Sequence, residues 1–175
     1  VDNKQQQLYK VLARNVAPYL DSSATQSSAD YPRWWDKTVT LFMKYVDPDT
    51  NEVAWTRKVI NNCFFKETKT RKASGNTFVE TTQSILRIPE NSLYRDPSTW
   101  YAMPEVERQA YFTLKNGDVV VAAEVTDIPD EYTTGNRMSD CLEKYKKLYP
   151  CFEIDVISIN IGIGRAQPHY YVGGN

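Results

Sequence analysis

His169 is the only histidine in the chain, so any chemistry that needs an imidazole has a single one to use. Nucleophilic catalysis would pair it with a thiol, and of Cys63, Cys141 and Cys151 the candidates are Cys141 and Cys151. A thiol nucleophile is recognised by a base held beside it and by a family-specific local sequence. Neither cysteine stands in such a sequence, and His169 is expected to be a partly exposed strand residue. Asp127, Asp130 and Glu131 lie close together, but their segment has neither the glycine nor the ligand spacing of a calcium loop. They read as a solvated acidic turn. Glu105 and Glu107, two apart, would face away from each other on a helix and form no acid–base pair. Gly162 and Gly164 make a Gly-x-Gly inside an apolar alternation, without the third glycine or the following helix of a phosphate loop. A bulge or a close backbone approach explains them. No catalytic, cofactor-binding or metal-binding residue is expected.

The remaining concentrated feature is basic. Lys66, Lys69, Arg71 and Lys72 place four cations within seven residues of a chain whose formal net charge is −1. On a hairpin tip they have two uses: contact with DNA or an acidic partner, or a charge cluster that keeps a sheet edge from pairing. The near-neutral balance and a sequence pI near 5.9 argue against general affinity for nucleic acid, which draws its free energy from many cations displacing counterions. Trp34-Trp35 and Trp100-Tyr101 divide between core packing, which is favoured, and interface anchoring.

The elements that position these residues follow from periodicity. Leu8, Val11, Leu12, Val16, Tyr19 and Leu20 fall at three- and four-residue steps, which predicts an amphipathic helix over residues 2–20, weakened at its last turn by Pro18. Residues 21–29 are small and polar and read as a linker. Residues 1–33 are thus expected to be a docking arm, joined to a β domain at 34–175. Period-two alternation begins at Val39, Leu41 and Met43, turns at Asp47-Pro48-Asp49-Thr50-Asn51 and returns through Val53, Trp55, Arg57 and Val59. A third strand is expected near residues 63–70, then the basic loop, then a strand over 77–88 stopped by Pro89. Residues 89–109 look irregular, and a connection of that length is usually functional or disordered. Strand, Asn-Gly turn and strand follow over 112–121, and a short helix is predicted at 139–148.

The end of the chain is sheet. Phe152, Ile154 and Val156 alternate, the phase slips at Val156-Ile157, and Ile157, Ile159, Ile161 and Ile163 resume, so a β-bulge or bend is expected there. The fold class is mainly β: an antiparallel barrel or sandwich, with an N-terminal amphipathic helix and one short helix before the last strands. Its 175 residues suffice for one domain with a substantial core. No apolar run approaches the length of a membrane span, and residues 1–20 lack the apolar segment of a signal peptide. A soluble protein made in a cytoplasm, with free thiols, is the expectation.

The order of these motifs carries a resemblance. Thr38-Val39-Thr40-Leu41-Phe42, Trp55-Thr56-Arg57-Lys58-Val59-Ile60, Ile85-Leu86-Arg87-Ile88-Pro89, Phe112-Thr113-Leu114-Lys115-Asn116-Gly117-Asp118-Val119-Val120 and His169-Tyr170-Tyr171-Val172-Gly173-Gly174 follow one another. This resembles the small head-completion, head-closure or stopper-like neck proteins of tailed bacteriophages. The resemblance implies a β-barrel or sandwich that assembles as a homo-oligomeric ring in the virion neck. There it would help retain packaged double-stranded DNA, contacted without sequence specificity, and provide the tail attachment surface. Implied partners are portal-side or adaptor neck proteins and tail proteins; implied localisation is the virion, after synthesis in the bacterial host cytoplasm. No enzyme activity, cofactor or membrane is implied. On that resemblance the helix carrying Leu8, Val11, Leu12, Val16 and Leu20 is an arm on a neighbour, and Lys66, Lys69, Arg71 and Lys72 face the DNA channel or an acidic ring. His169 marks the closing strand. The alternative is a monomeric β-sheet module that uses exposed aromatics to hold a ligand or protein partner. A third reading, a small hydrolase using Cys151 and His169, requires those two side chains to meet.

Overall fold

The computed structural model describes residues 31–74, 77–126, 143–162 and 167–175. The expected docking helix with Leu8, Val11, Leu12, Val16 and Leu20 lies outside the described residues, as do the linker, Asp127, Asp130, Glu131, Cys141, Ile163 and Gly164.

Six strands, β1 Lys37–Val46, β2 Val53–Ser74, β3 Thr77–Pro89, β4 Val119–Val121, β5 Cys151–Asn160 and β6 His169–Gly174, close into a barrel in the order β1-β2-β3-β6-β5-β4. Every pairing is antiparallel. The turn from β1 to β2 forms as its sequence predicts. The Asp47 carboxylate accepts from the backbone of Thr50 at 3.0 Å and Asp49 at 2.8 Å, and Asn51 takes φ 57°. Those two backbone donors hold the exposed Asp47 carboxyl below its ordinary value.

The expected return strand and third strand are one strand. β2 runs 22 residues and serves two neighbours in succession, pairing with β1 as far as Cys63 and with β3 from Phe64 onward. The change of partner falls where Asn62 takes φ 57°, a left-handed conformation that asparagine tolerates better than most residues. A register shift between Lys37 and Val39 of β1 lies at the same place. A bend of this kind lets one strand leave the sheet without ending.

Val39, Leu41 and Met43 of β1 join Leu86, Ile88, Val120, Phe152, Ile154, Tyr170 and Val172 in the barrel core. Thr40 and Phe42, on the other face of β1, are also buried, because the chain after β4 folds back over them. The Thr40 hydroxyl donates to the Ala123 carbonyl at 2.7 Å and accepts from the Val125 amide at 3.0 Å. Tyr145, in a helical turn at 143–146 within the predicted helix, stacks on Phe42 with ring centroids 5.7 Å apart. β1 is therefore covered on both faces, and Val39, Thr40, Leu41, Phe42 and Met43 are all buried.

The connection after β3 is packed into the barrel. It holds two short helices, α1 Pro97–Ala102 and α2 Glu105–Arg108. Asp96 caps α1 by accepting from the Thr99 amide at 3.0 Å, and Pro97 occupies the first turn, where a missing N–H costs nothing. The helix thereby inserts Trp100, fully buried, among the core residues with Phe112 and Leu114. Phe112-Thr113-Leu114, a strand by its sequence pattern, makes only an isolated bridge, Tyr94 to Phe112, and is buried instead as an irregular layer under α1. The turn that follows does form, with Gly117 at φ 87°.

At the closing strands the slip sits one step earlier than expected. The register shift lies between Ile154 and Val156, and it turns Asp155 and Val156 outward together while Ile154 and Ile157 pack on the core. Val156 is 55% exposed.

Candidate functional site

The Lys66–Lys72 cluster is not a loop. These residues lie in β2 opposite β3, in register from Lys66 with Ile85 to Ser74 with Thr77, and the chain reverses only after Ser74. Neither outer neighbour follows, since β1 stops pairing at Cys63 and β6 reaches only Ser84. Beyond those points β2 and β3 continue as a two-stranded ribbon that projects from the barrel. Thr68, Thr70, Thr77, Thr81 and Thr82 explain why it stays extended without a core: β-branched side chains favour the extended backbone, and the cross-strand pair Thr70–Thr81 adds to it.

Strand geometry divides the four cations. Side chains alternate between faces, and residues directly opposite share one. One face carries Glu67, Lys69, Arg71, Ala73, Phe78, Glu80 and Thr82. There Lys69 lies 3.9 Å from Glu67 and Arg71 lies 3.6 Å from Glu80, with the Arg71 guanidinium 6.0 Å from the centre of the Phe78 ring. These exposed pairs contribute little to stability, but they spend the charge of two cations locally. The other face carries Lys66, Thr68, Thr70, Lys72, Val79, Thr81 and Gln83. Among the described residues Lys66 and Lys72 have no carboxylate partner, and six residues of strand place them ~20 Å apart. A spaced pair of free lysines on a threonine-rich face replaces the compact patch that the sequence suggests.

The tip carries a feature that sequence reasoning missed. Phe78 is 73% exposed and Val79 52% exposed, on opposite faces and side by side along β3. Exposed apolar side chains at the end of a polar ribbon are a contact feature. The available signal is an apolar pair shortly after Gly75-Asn76, within a segment otherwise made of threonine and charge.

The other candidates are placed apart. His169 pairs with Asn160 at one end of the β5–β6 pairing, while Cys151 begins β5 nine residues away, ~30 Å along the strand. Cys151 and His169 therefore form no dyad. The His169 ring is held structurally: Nδ1 lies 2.7 Å from the Gln167 carbonyl, which can only accept, so Nε2, 3.2 Å from the Asn160 amide nitrogen, is the acceptor. Trp35 meets the same ring edge-on at 5.8 Å. Tyr31 completes this end of the barrel, donating to the Pro168 carbonyl at 2.5 Å and accepting from the Glu90 amide at 3.0 Å. Cys63 and Cys151 are buried as reduced thiols, and burial raises both above the ordinary thiol value, which keeps them protonated and unreactive. Glu105 and Glu107 are exposed in the first turn of α2. Of the paired aromatics, Trp35 and Trp100 are core and Trp34 is exposed.

One buried charge pair does occur, beneath the aromatic layer. Asp118, with no exposed surface, accepts at Oδ1 from the Lys44 amide at 2.9 Å and from the Lys115 ammonium, and at Oδ2 from the Lys115 amide at 3.1 Å. The Lys115 ammonium lies 5.9 Å from the Trp100 ring centre and 5.8 Å from that of Tyr101, while Arg108 stacks 3.4 Å over Tyr45. Burial pushes the Asp118 carboxyl up to about 6 and lowers Lys115. Held by donors from β1 and from its own turn, this carboxylate makes the pair a fastener between β1 and β4.

Among the described residues no group of His, Cys, Asp and Glu could hold a metal ion, and no helix is long and apolar enough to cross a membrane. The class the geometry defines is a closed six-stranded antiparallel barrel, plugged by a short helix and extended by a projecting ribbon. Residues 34–175 match the Family of unknown function (DUF6751), and the chain belongs to that family. No curated protein and no solved structure matches it.

Proposed function

We propose that this protein is a structural head-to-tail connector of a tailed phage virion, a neck protein whose copies form a ring that helps retain packaged DNA and offers the tail its attachment surface. The observation that carries this reading is the ribbon: a rigid barrel that projects a charged, apolar-tipped arm well beyond its own core has the form of a subunit made to be joined. The order of strand motifs, similar to that of phage head-completion proteins, supports the same assignment, and the closed barrel agrees with the fold it implies. Lys66 and Lys72 are the residues assigned to passing double-stranded DNA or to an acidic ring of the neck. Two spaced cations suit a channel wall along which DNA slides, since tight binding needs many phosphate contacts at once. Portal-side or adaptor neck proteins and tail proteins are the other partners, and no catalytic step is assigned.

Co-expression with a tailed-phage portal protein, followed by electron microscopy, tests the reading. A ring of this protein on one end of the portal is the expected image; absence of any joint assembly removes the proposal. Changing Lys66→Glu together with Lys72→Glu should leave the melting temperature within about a degree or two, because both side chains are exposed. The same double variant should increase DNA leakage from assembled particles, measured as nuclease-sensitive DNA. A monomeric binding module is the second reading, favoured by the exposure of Phe78 and Trp34 at 73% and 66%. A protein that stays monomeric at high concentration and quenches its tryptophan emission on adding a ligand would support it.

A further inference from the structure

Two of the strand edges left open among the described residues differ from a third that is guarded. β6 pairs with β3 only from Ser84 to Pro89, so residues 78–83 of β3 have β2 on one side and, among the described residues, no strand on the other. β4 pairs with β5 only along Cys151, Phe152 and Glu153, and the turn before β4 reaches Ile154. Residues 155–160 of β5 therefore have β6 on one side and, among the described residues, no strand on the other. An unpaired edge is a row of backbone donors and acceptors that templates another strand, and lysine along the edge is one device that prevents this. The third edge, β2 beyond Cys63, carries Lys66, Lys69, Arg71 and Lys72 and so is guarded.

The unguarded edges match each other. Phe78-Val79-Glu80-Thr81-Thr82-Gln83 and Asp155-Val156-Ile157-Ser158-Ile159-Asn160 are six residues each, rich in β-branched side chains, free of proline and each with one acid. Glu80 is already paired with Arg71, so it brings no free negative charge to Asp155. Both edges expose apolar surface: Phe78 is 73% exposed, Val79 52%, Val156 55% and Ile159 50%. They cannot satisfy one another within one copy, because the β3 edge opens on the side of β6 and the β5 edge on the side of β4, with β6 between the two strands.

We propose that residues 78–83 of one copy add as a strand to residues 155–160 of a second copy. The two surfaces are different, so the contact is head-to-tail and repeats from copy to copy, closing as a ring or running on as a filament. It deepens the neck reading and rests on it only for closure. Backbone hydrogen bonds supply the attraction, and the exposed Phe78, Val79, Val156 and Ile159 are the side chains it would cover.

Complementation tests the pairing. Thr81→Lys with Gln83→Lys guards the β3 edge, and Val156→Lys with Ser158→Lys guards the β5 edge; all four positions are exposed. Wild type is expected to assemble in light-scattering chromatography, and each guarded variant to elute as a monomer with an unchanged circular dichroism spectrum. Mixing the two variants should give a dimer and nothing larger, because each retains the edge the other lacks. Glutamate at the same positions provides a second variant pair should either lysine pair fail to fold. A monomeric wild type, guarded variants that assemble like wild type, or a mixture that stays monomeric would each overturn the pairing. Monomers that still join a portal ring would sink this inference and spare the neck reading, whereas edge-paired assemblies that never join a portal would do the reverse.

Discussion

Gly174→Ala is expected to lower the melting temperature by ~6–12 °C, whereas Gly173→Ala, one residue earlier, should change it little. Both glycines lie in β6 between β3 and β5, and neither has a positive φ, so conformational freedom is not the reason for glycine at either place. The reason at 174 is space. A Cβ there would overlap the backbone carbonyl oxygen of Glu153 and stand 2.5 Å from Cδ2 of Phe152. A flexible side chain can swing aside, but the Glu153 carbonyl belongs to β5, and moving it means moving the strand and the core ring beside it. Overpacking of this kind costs about 3 kcal/mol, and a domain of this size loses about 2–4 °C for each kcal/mol. At 173 the same atom would meet the Ser84 carbonyl and the Tyr171 ring at 3.7 Å, ordinary van der Waals contact. Differential scanning fluorimetry of the two variants decides it; equal melting temperatures would show that the β5–β6 approach is not tight.

That closing Gly-Gly is visible in the sequence as part of a strand, yet nothing in its pattern separates the two positions. The same limit recurs elsewhere in the chain. Alternation around Val39–Met43, the Asp47 turn and the β5 and β6 strands are legible because each depends on neighbours in sequence. β2 is not, since its continuity depends on β1 pairing along one edge as far as Cys63 and β3 along the opposite edge from Phe64, a long-range arrangement that local alternation records only as a lapse. Lys66, Lys69, Arg71 and Lys72 stand out as a cluster but read as a loop, because a ribbon without a core has no apolar period to reveal it. Phe78 and Val79 look like any strand residues; only their exposure among the described residues makes them notable. The 89–109 segment looks irregular because its order comes from Trp100 entering the barrel and not from a repeating pattern.

Asp118 is the least legible of all. In sequence it completes an Asn-Gly-Asp turn, a combination that usually marks solvent, and in the fold it has no exposed surface. Asp118→Ala is expected to destabilise by about 3–5 kcal/mol, because it removes one partner of a buried pair and leaves the Lys115 ammonium without its counter-charge. The Lys44 and Lys115 amides lose their acceptor in the same step. Asp118→Asn keeps the shape and an acceptor oxygen, so it should cost less and serves to isolate the charge. Its pH dependence has a definite sign. Burial raises the folded-state carboxyl to about 6 from an ordinary value of 3.8, so the native state holds this proton more tightly than the unfolded chain does. The stabilisation from that proton is full below the unfolded value and is lost as pH rises through about 6. Lys115, lowered by burial, has its stabilisation present above the ordinary lysine value and lost as pH falls through the folded one. The Asp118 window lies between its ordinary value of 3.8 and about 6. Each pH unit between the folded and unfolded values is worth about 1.4 kcal/mol, so wild type should lose roughly 2–3 kcal/mol relative to Asp118→Asn across that range. Urea denaturation of both proteins at pH 4, 5, 6 and 7 measures the difference; parallel curves would mean that the carboxylate is as well solvated by its three donors as by water, and that the fastener works through geometry alone.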